Sequence, residues 1–137
     1  MSQQHPAPLQ GLAPHLTIGE SRGQEAIAFY AKAFDAMQVD FALHDDGRRV
    51  MHAQLHINGA SLFLNDAFPE YTGSDPGVPE GVTLHLEVDE PDRWWERAVA
   101  AGAIVRMPLD DQFWGTRYGQ LVDPFGHTWS IGGPLKG

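Results

Sequence analysis

The stretch that decides the fold is Ile57-Asn58-Gly59-Ala60-Ser61-Leu62-Phe63-Leu64, which has a counterpart in Pro124-Phe125-Gly126-His127-Thr128-Trp129-Ser130-Ile131. The two glycines differ by 126 − 59 = 67 positions. The helix ends expected at Phe34-Asp35-Ala36 and Ala101-Gly102-Ala103 differ by the same number. Chance similarity of two short fragments is the alternative, but the order of the expected elements repeats as well. We therefore interpret the chain as two copies of one supersecondary unit.

Each copy is predicted to run strand–helix–strand–strand–strand. The first has strands at 14–19, 37–43, 50–57 and 60–65 and a helix at 23–34; the second has strands at 82–88, 104–107, 118–122 and 127–131 and a helix from Pro91 to Gly102. The fold class is therefore α+β with two βαβββ modules. The predicted organisation is a leader at 1–12, a first module at 13–66, a linker at 67–81, a second module at 82–132 and a tail at 133–137.

Local signals add detail to this plan. Ser21 and Gln24 form a capping-box pattern before the first helix. Its buried stripe is predicted to be Ile27, Tyr30, Ala31 and Phe34, and that of the second helix Trp95, Ala98, Val99 and Gly102. Hairpin turns are expected at Asp45-Asp46-Gly47 and Asn58-Gly59, and a tail turn at Gly132-Gly133. The acidic pairs 45–46 and 110–111 are expected to be solvated.

Two strands alternate apolar and polar residues. One face of 82–88 is aliphatic and the other carries Thr83, His85 and Glu87. Strand 50–57 likewise places His52, Gln54 and His56 opposite Met51, Ala53, Leu55 and Ile57. We expect each sheet to curl into a half-barrel, with the helix outside and the polar face lining a cavity. Polar faces that simply meet solvent are the alternative.

Composition excludes several classes of function. The 137 residues carry a formal net charge of −9 and no cysteine, which rules out disulfides and thiolate metal sites. A chain this acidic is poorly suited to binding nucleic acid, and its negative field would attract cationic small molecules. No apolar run is long enough to span a membrane, and residues 1–8 do not read as a secretory signal. We expect a cytoplasmic protein that has no nucleic-acid or membrane partner.

Several motifs resemble one family. They are Glu25-Ala26-Ile27-Ala28-Phe29-Tyr30, the His52 strand region ending Leu64-Asn65-Asp66, Phe113-Trp114-Gly115, Tyr118-Gly119 and Asp123-Pro124-Phe125-Gly126-His127-Thr128-Trp129. Over residues 14–132 the chain resembles the vicinal oxygen chelate superfamily, which includes glyoxalase I, extradiol dioxygenases and fosfomycin- and bleomycin-resistance proteins. Within it the chain is most similar to the PhnB-like, glyoxalase/bleomycin-resistance branch. The resemblance implies a cavity formed by paired modules, a homodimer and, in enzymatic members, a divalent metal held by the first and last strand of each module.

The metal ligands implied by the resemblance are only partly present. The four positions fall at His15, Phe63, Thr83 or His85, and Ser130, so both expected carboxylates are missing. Zinc usually takes at least three protein ligands, and Mg²⁺ prefers oxygen donors. No metal is therefore favoured; if one binds, His15 and His85 would hold it, with His52, His56 and Glu87 as supplementary donors. Hydrogen-bonded polar residues are the alternative for each histidine.

The aromatic and polar residues indicate that the protein binds a small molecule. The predicted ligand-binding residues are His52, Gln54, His56, Phe63, Trp114 and Tyr118, which suit an aromatic or cationic small molecule. Trp95 and Trp129 are assigned to the core and Trp94 to a dimer surface. His85 and Glu87 are candidates for general acid–base catalysis or a structural pair. We predict small-molecule binding without the usual metal; the alternatives are a metal-dependent lyase or dioxygenase of glyoxalase type with a non-standard histidine site, and a vestigial cavity.

Overall fold

A computed structural model of the chain describes residues 11–137, so most of the predicted leader lies outside the described residues. In chain order the elements are β1 (His15–Ile18), α1 (Gly23–Phe34), β2 (Met37–Leu43), β3 (Val50–Ile57), β4 (Ala60–Asp66), α2 (Pro69–Thr72), β5 (Thr83–Glu87), α3 (Pro91–Ala101), β6 (Ile104–Asp111), β7 (Arg117–Val122) and β8 (Thr128–Gly133). The predicted α+β class with two βαβββ modules is confirmed. The short helix α2 lies inside the predicted linker and was not foreseen.

Each module builds one four-stranded sheet. The strand orders are β1-β4-β3-β2 and β5-β8-β7-β6. The first and last strands of each module are parallel neighbours, which places His15 beside Phe63 and His85 beside Ser130. The chain separates into two compact units near Gly77, except that residues 32–34 at the end of α1 group with the second unit. Within residues 11–137, no helix is both long and apolar enough to cross a membrane.

The internal repeat is visible in the backbone. The C-cap residues are Asp35 after α1 and Gly102 after α3; both have positive φ, and they are again 67 positions apart. Gly59 and Gly126 also have positive φ, of 83° and 94°. Asn58 shares this left-handed conformation, so the predicted Asn-Gly turn between β3 and β4 is confirmed. Two modules of one plan therefore keep the same turn positions.

The predicted capping box at the start of α1 is wrong. The residue before the helix is Arg22, which makes no side-chain cap bond, and Ser21 has a positive φ of 59°. The amide of Gly23 instead donates to Oδ1 of Asp66 at 2.7 Å, and Gln24 donates to the carbonyl of Arg48 at 2.8 Å. A carboxylate 43 residues away thus replaces the local cap.

The buried stripe of α1 is rotated from the prediction. Ala26, Phe29, Tyr30, Ala33 and Phe34 are buried. Tyr30 and Phe34 were predicted correctly, whereas Ala31 is exposed and Ile27 half-buried. Hydrophobic spacing alone cannot distinguish two adjacent stripes when both are apolar, and the packing of the helix on its sheet selects one of them.

The second helix and the sheets follow the predicted alternation in part. On α3, Ala98 is buried and Trp95 half-buried, but Val99 is exposed. Leu86 on β5 and Val88 directly after it are buried, while Val82 lies before the strand and is exposed. On β3 Met51 is exposed, because a shift in the β2–β3 register near Leu43 leaves Val50 buried instead. The predicted alternation of buried and exposed residues therefore holds in the middle of the strands and fails at their ends.

The predicted tail turn at Gly132-Gly133 is also wrong. Both glycines belong to β8. A Cβ on Gly133 would collide with the carbonyl oxygen of Val88 and lie 2.6 Å from Cγ of Pro91. Two adjacent glycines read as a turn in the sequence, but here they allow close approach of neighbouring groups.

The acidic pairs are not simply solvated. Hydrogen bonds from Arg49 to the side chain of Asp46 hold the pKa of that carboxyl well below its usual range. The backbone N–H of Lys136 and the guanidinium of Arg117 likewise lower the pKa of Asp111. One member of each pair therefore holds a local ion-pair network together.

Candidate functional site

A hydrogen-bonded polar cluster of the second sheet is formed by Ser130, His85 and Glu87. Nδ1 of His85 lies 2.7 Å from Oγ of Ser130, and Nε2 lies 2.8 Å from Oε1 of Glu87. We call these three residues the relay. They lie on the side of the sheet that also carries Gln120 and Tyr118, because His85, Ser130 and Gln120 form one cross-strand row. We call this side the polar face of the second sheet.

For an ionised Glu87 and a neutral His85, the donor and acceptor roles in the relay follow from chemistry. An ionised carboxylate only accepts, so Nε2 of His85 carries the proton that is donated to Glu87. In the neutral imidazole Nδ1 is then an acceptor, and the hydroxyl of Ser130 donates to it. The chain of donation therefore runs from Ser130 through His85 to Glu87.

Gly132 makes room for the relay. A Cβ at this position would lie 2.8 Å from Cε1 of His85 and 3.2 Å from Oε1 of Glu87. The missing side chain lets the imidazole and the carboxylate meet over the backbone of β8. Ser130 itself is 1% exposed, whereas the side chain of Glu87 is 68% exposed. The relay thus leads from the interior of the module to its surface.

A row of aromatic rings continues from the relay along the polar face. The rings of His85 and Tyr118 are stacked with centroids 5.9 Å apart and an interplanar angle of 22°. Trp114 meets Tyr118 edge-on at 5.8 Å, and Phe113 meets Trp114 edge-on at 5.2 Å. Gln120 donates from Nε2 to the hydroxyl of Tyr118 at 3.0 Å. We call His85, Tyr118, Trp114 and Phe113 the ring row.

The first sheet arranges its predicted site residues differently. Phe63 lies between two imidazoles, with ring centroids 6.2 Å from His15 and 6.1 Å from His52. Nε2 of His52 lies 3.5 Å from Oδ2 of Asp40. The centre of this group is an apolar ring, so the three rings offer stacking surface and little hydrogen bonding.

Gln54 and His56, which were also predicted to bind ligand, lie in the partly buried layer of the first sheet. Gln54 is 3% exposed and donates to the hydroxyl of Ser61 at 3.1 Å. His56 lies in the same row as Ser61, and within residues 11–137 its buried Nε2 has no hydrogen-bond partner. Gln54 and His56 thus lie beside the three-ring group and belong to a semi-buried polar layer.

The donor set fits a divalent metal poorly. In the first sheet the pair at the ligand positions is an imidazole and a benzene ring, His15 and Phe63. In the second sheet it is His85 and Ser130, and both nitrogens of His85 already have hydrogen-bond partners. No group of three or more His, Asp or Glu residues in the described part of the chain is arranged to hold a metal ion.

Sequence reasoning found part of this site. The His85–Glu87 pair follows from alternation along one strand, and Tyr118 and Trp114 were predicted ligand-binding residues. It missed the hydrogen bond between Ser130 and His85, did not name Gln120, and interpreted Gly132 as part of a tail turn. The internal repeat was the available signal: once Gly59 and Gly126 are aligned, Ser130 falls opposite Phe63 on the last strand of its module.

Comparison with known proteins agrees with the fold. The sequence profile of the Glyoxalase/Bleomycin resistance protein/Dioxygenase superfamily matches residues 13–131. An uncharacterized protein of Mycobacterium bovis is 43% identical over 130 residues, which cover 91% of this chain and 84% of that protein. The PhnB protein of Bacillus cereus superposes with a TM-score of 0.72 at 20% identity, covering 90% of this chain and 99% of that one.

A glyoxalase-related enzyme from Fulvimarina pelagi superposes with a TM-score of 0.68 at 27% identity, covering 92% of this chain and 88% of that one. The profile match spans most of both modules, and the similarity to the PhnB protein agrees with the fold. The chain belongs to the Glyoxalase/Bleomycin resistance protein/Dioxygenase superfamily.

Proposed function

We propose that the protein binds a small aromatic molecule on the polar face of the second sheet, without the divalent metal that the family's enzymes use. The observation that carries this proposal is the ring row. Its outer members are accessible, since Trp114 is 51% and Phe113 97% exposed. Exposed neighbouring rings next to a few fixed polar groups are typical of ligand sites.

The chemistry of the relay supports binding over metal-dependent catalysis. A metal ligand must offer a lone pair, and the two nitrogens of His85 are engaged by Ser130 and Glu87. The hydroxyl of Ser130 is a weak neutral donor where the family's enzymes carry a carboxylate. A metal would therefore have to displace at least one short hydrogen bond before it could bind His85.

The test follows the indole N–H signals of the tryptophans by ¹H–¹⁵N NMR. The probe is 1-naphthalenemethanol, a flat neutral compound. Binding at the ring row is expected to shift the signal of Trp114 and leave that of Trp94, on α3, in place. Trp114→Ala should weaken binding at least about tenfold, a change of about 1.4 kcal/mol. Trp94→Ala is the matched control. Shifts spread equally over both indoles, or none up to millimolar probe, would overturn the proposal.

Metal content separates this proposal from the metal-dependent alternative. The purified protein, stripped with chelator, is offered Ni²⁺, Zn²⁺, Mn²⁺ and Fe²⁺ and its bound metal is measured by elemental analysis. We expect less than about one tenth of an equivalent per chain at micromolar free metal. About one equivalent, lost in His85→Ala, would favour a lyase or dioxygenase of glyoxalase type.

A further inference from the structure

We propose that the molecule bound on the second sheet is an elongated aromatic acid, and that its carboxylate binds Arg106, Thr128 and Thr83. These residues lie at the end of the polar face away from Trp114. The inference rests on the proposed function, because it names the ligand class of the same site. It assigns the ligand a charge opposite to the one that the net charge of the chain suggests, since this end of the face carries a cation and two hydroxyls.

Arg106 has no carboxylate partner. In the described part of the chain its side chain makes one hydrogen bond, from Nη1 to Oγ1 of Thr128 at 3.2 Å, and no ion pair. Residues 1–10 contain no Asp or Glu that could supply one. Arg117, by contrast, is paired with Asp92 at 3.0 Å. A guanidinium has five N–H donors, so Arg106 keeps a two-pronged donor edge for a planar anion.

A β-bulge directs Arg106 to this position. The pairing of β6 with β7 shifts register between Val105 and Met107, which makes Arg106 the extra residue of a bulge. Met107 pairs with Gln120, which belongs to the polar face. The side chain of Arg106 crosses β7 and reaches the hydroxyl of Thr128 on β8. Bulges commonly redirect a side chain next to a functional site, and this one adds a cation to the polar face.

Two threonine hydroxyls accompany this guanidinium. Thr83 on β5 and Thr128 on β8 are paired neighbours, and both belong to the face that carries His85 and Ser130. The hydroxyl of Thr128 accepts the bond from Arg106, so its own proton remains available to a ligand. Among the described residues, none forms a side-chain hydrogen bond with Thr83. A guanidinium with two hydroxyl donors suits a carboxylate, which accepts about four hydrogen bonds.

The acids on the polar face lie at its other end. Glu87 follows Thr83 by four residues on β5, so at about 3.3 Å per residue the two are roughly 13 Å apart. Asp110 also lies at the Glu87 end, in the cross-strand row that contains Glu87. This separation exceeds the screening length of about 8 Å at physiological ionic strength. These acids therefore repel a carboxylate at Arg106 only weakly.

Two other acids are closer to this end in sequence, and neither pairs with Arg106. Glu80 precedes β5 in the linker, is exposed and forms no ion pair with the guanidinium. The carboxylate of Asp123 is buried and accepts from Nε1 of Trp129, whose side chain lies on the other side of β8 from Thr128. A ligand carboxylate at Thr128 is therefore attracted by Arg106 more strongly than these acids repel it.

The distance between the ring row and Arg106 sets the length of the ligand. Tyr118 and Trp114 lie at one end of the polar face and Thr128 at the other, separated by four residues of β8, or roughly 13 Å. A ring that contacts Trp114 must therefore carry its carboxylate on an extended chain to reach the guanidinium. A carboxylate attached directly to the ring falls short.

The experiment uses two pairs of probes that share a naphthyl ring. The acids are 4-(1-naphthyl)butanoate and 1-naphthoate, and the alcohols are 4-(1-naphthyl)butanol and 1-naphthalenemethanol. Affinities are measured by ¹H–¹⁵N NMR titration of the full chain. The two acids carry the same charge, so long-range repulsion by the chain cancels between them, and the alcohols measure the apolar contribution of the longer probe. We expect the gain from short to long probe to be about tenfold larger for the acids than for the alcohols.

Variants assign this tenfold excess to the three residues. Arg106→Gln should abolish it, and Thr128→Val and Thr83→Val should each reduce it to about threefold, without weakening the alcohols. Arg48→Gln removes the same charge from an exposed position between β2 and β3, so it is the matched control and should leave the excess unchanged. The Nε–H signal of Arg106 gives an independent readout, which the long acid should shift and the long alcohol should not.

The outcomes distinguish the two proposals. If 1-naphthalenemethanol shifts the Trp114 signal but the acids show no excess, the ligand class is wrong and the binding function stands. An excess that survives in Arg106→Gln, or that is lost equally in Arg48→Gln, would show that Arg106 does not bind the carboxylate. If both threonine variants keep the full excess, the hydroxyls take no part. If no probe shifts Trp114, the proposed function fails and this inference falls with it.

Discussion

The two modules join their helix to their last strand by different chemistry. In the first module Asp66 accepts hydrogen bonds from the amides of Gly23 at 2.7 Å and Val50 at 2.6 Å. In the second module the helix begins with Pro91, which has no N–H, and the residue 67 positions after Asp66 is Gly133. The first residue of α1 has an N–H that needs an acceptor. The first residue of α3 is a proline, which has no N–H and needs only room for its ring.

This difference shows how one fold tolerates divergence at a buried junction. A buried amide without a partner costs free energy, so a module either supplies an acceptor or removes the donor. Gly23 and Asp66 belong together, because a Cβ on Gly23 would collide with the carboxylate. Pro91 and Gly133 belong together, because the proline ring occupies the space that a side chain at 133 would fill. Each module therefore carries a matched pair.

Among the substitutions considered, Asp66→Ala should lower the free energy of unfolding most. The substitution leaves the amides of Gly23 and Val50 without their acceptor, and Asp66 is 0% exposed. We expect the free energy of unfolding to fall by about 4 kcal/mol, measured by urea denaturation monitored by tryptophan fluorescence. Asp75→Ala, on the exposed linker, is the control. A loss below about 1 kcal/mol would mean that water replaces the carboxylate without cost.

A smaller loss, about 3 kcal/mol, is expected for Gly133→Ala, since the new Cβ meets the backbone carbonyl of Val88 and the ring of Pro91. The adjacent Gly132→Ala is a matched control on the opposite face. There the Cβ meets only the ends of the His85 and Glu87 side chains, so the cost should stay below about 1 kcal/mol. Equal losses in the two variants would contradict the close-packing explanation.

The turns before the last strands give a third comparison. The first module uses the two residues Asn58-Gly59, whereas the second uses a longer turn in which Asp123 accepts from the amides of Phe125 and His127 and from Nε1 of Trp129. Trp129→Phe removes the last of these bonds, which is 2.8 Å long.

For Trp129→Phe we expect a loss of about 2 kcal/mol, since the indole is buried and one acceptor of Asp123 loses its donor. Trp94→Phe, on the half-exposed side of α3, should change stability by less than about 0.5 kcal/mol. Thermal unfolding followed by circular dichroism measures both. If the two variants lose the same stability, the turn does not depend on the indole N–H.

The smallest expected effect is on stability at low pH, and it concerns the carboxylates bonded to Arg49 in the first module and to Arg117 in the second. Hydrogen bonds from Arg49 lower the pKa values of Asp46 and Glu70 in the first module. In the second, the pKa of Asp111 is lowered first by the backbone N–H of Lys136 and only then by Arg117. The free energy of unfolding should therefore depend less on pH in the acid range in Arg49→Met than in Arg117→Met.

The sign of this dependence follows from the direction of the shifts. A carboxyl whose pKa is lower in the folded state stabilises the protein fully above about pH 5, and this contribution is lost as the pH falls. The stability difference between the parent protein and Arg49→Met should thus shrink from pH 6 to pH 3, as measured by urea unfolding at a series of pH values. A difference that is constant with pH would show that Arg49 acts through packing on Phe68, whose ring centroid lies 4.5 Å from its guanidinium carbon.

The polar faces of the two sheets extend the comparison to function. At the paired positions of the first and last strands, the first module has His15 beside Phe63 and the second has His85 beside Ser130. An aromatic ring cannot accept the hydrogen bonds that a serine hydroxyl exchanges with an imidazole. The relay is therefore confined to the second module, and we place the proposed ligand site there for that reason.

Most of the fold could be read from the sequence because its signals are local. The bounds of β2 and β3 were predicted as observed, and the start of α3 follows from Pro91, whose ring suits the first helical position. Alternation along β5 placed His85 and Glu87 on one face. The start of α1 was misread, since Ser21 and Gln24 match a cap whose role belongs to Asp66.

What the sequence determined by itself was the repeat, the turns and the faces of the strands, because periodicity and backbone preference act between residues close in the chain. The tertiary structure alone decided which residues meet across strands: Asp66 with Gly23, and Ser130 with His85. These contacts join residues 43 and 45 positions apart. Their partners are chosen by strand register and by the space that a glycine such as Gly132 leaves open, and neither is encoded in a local pattern.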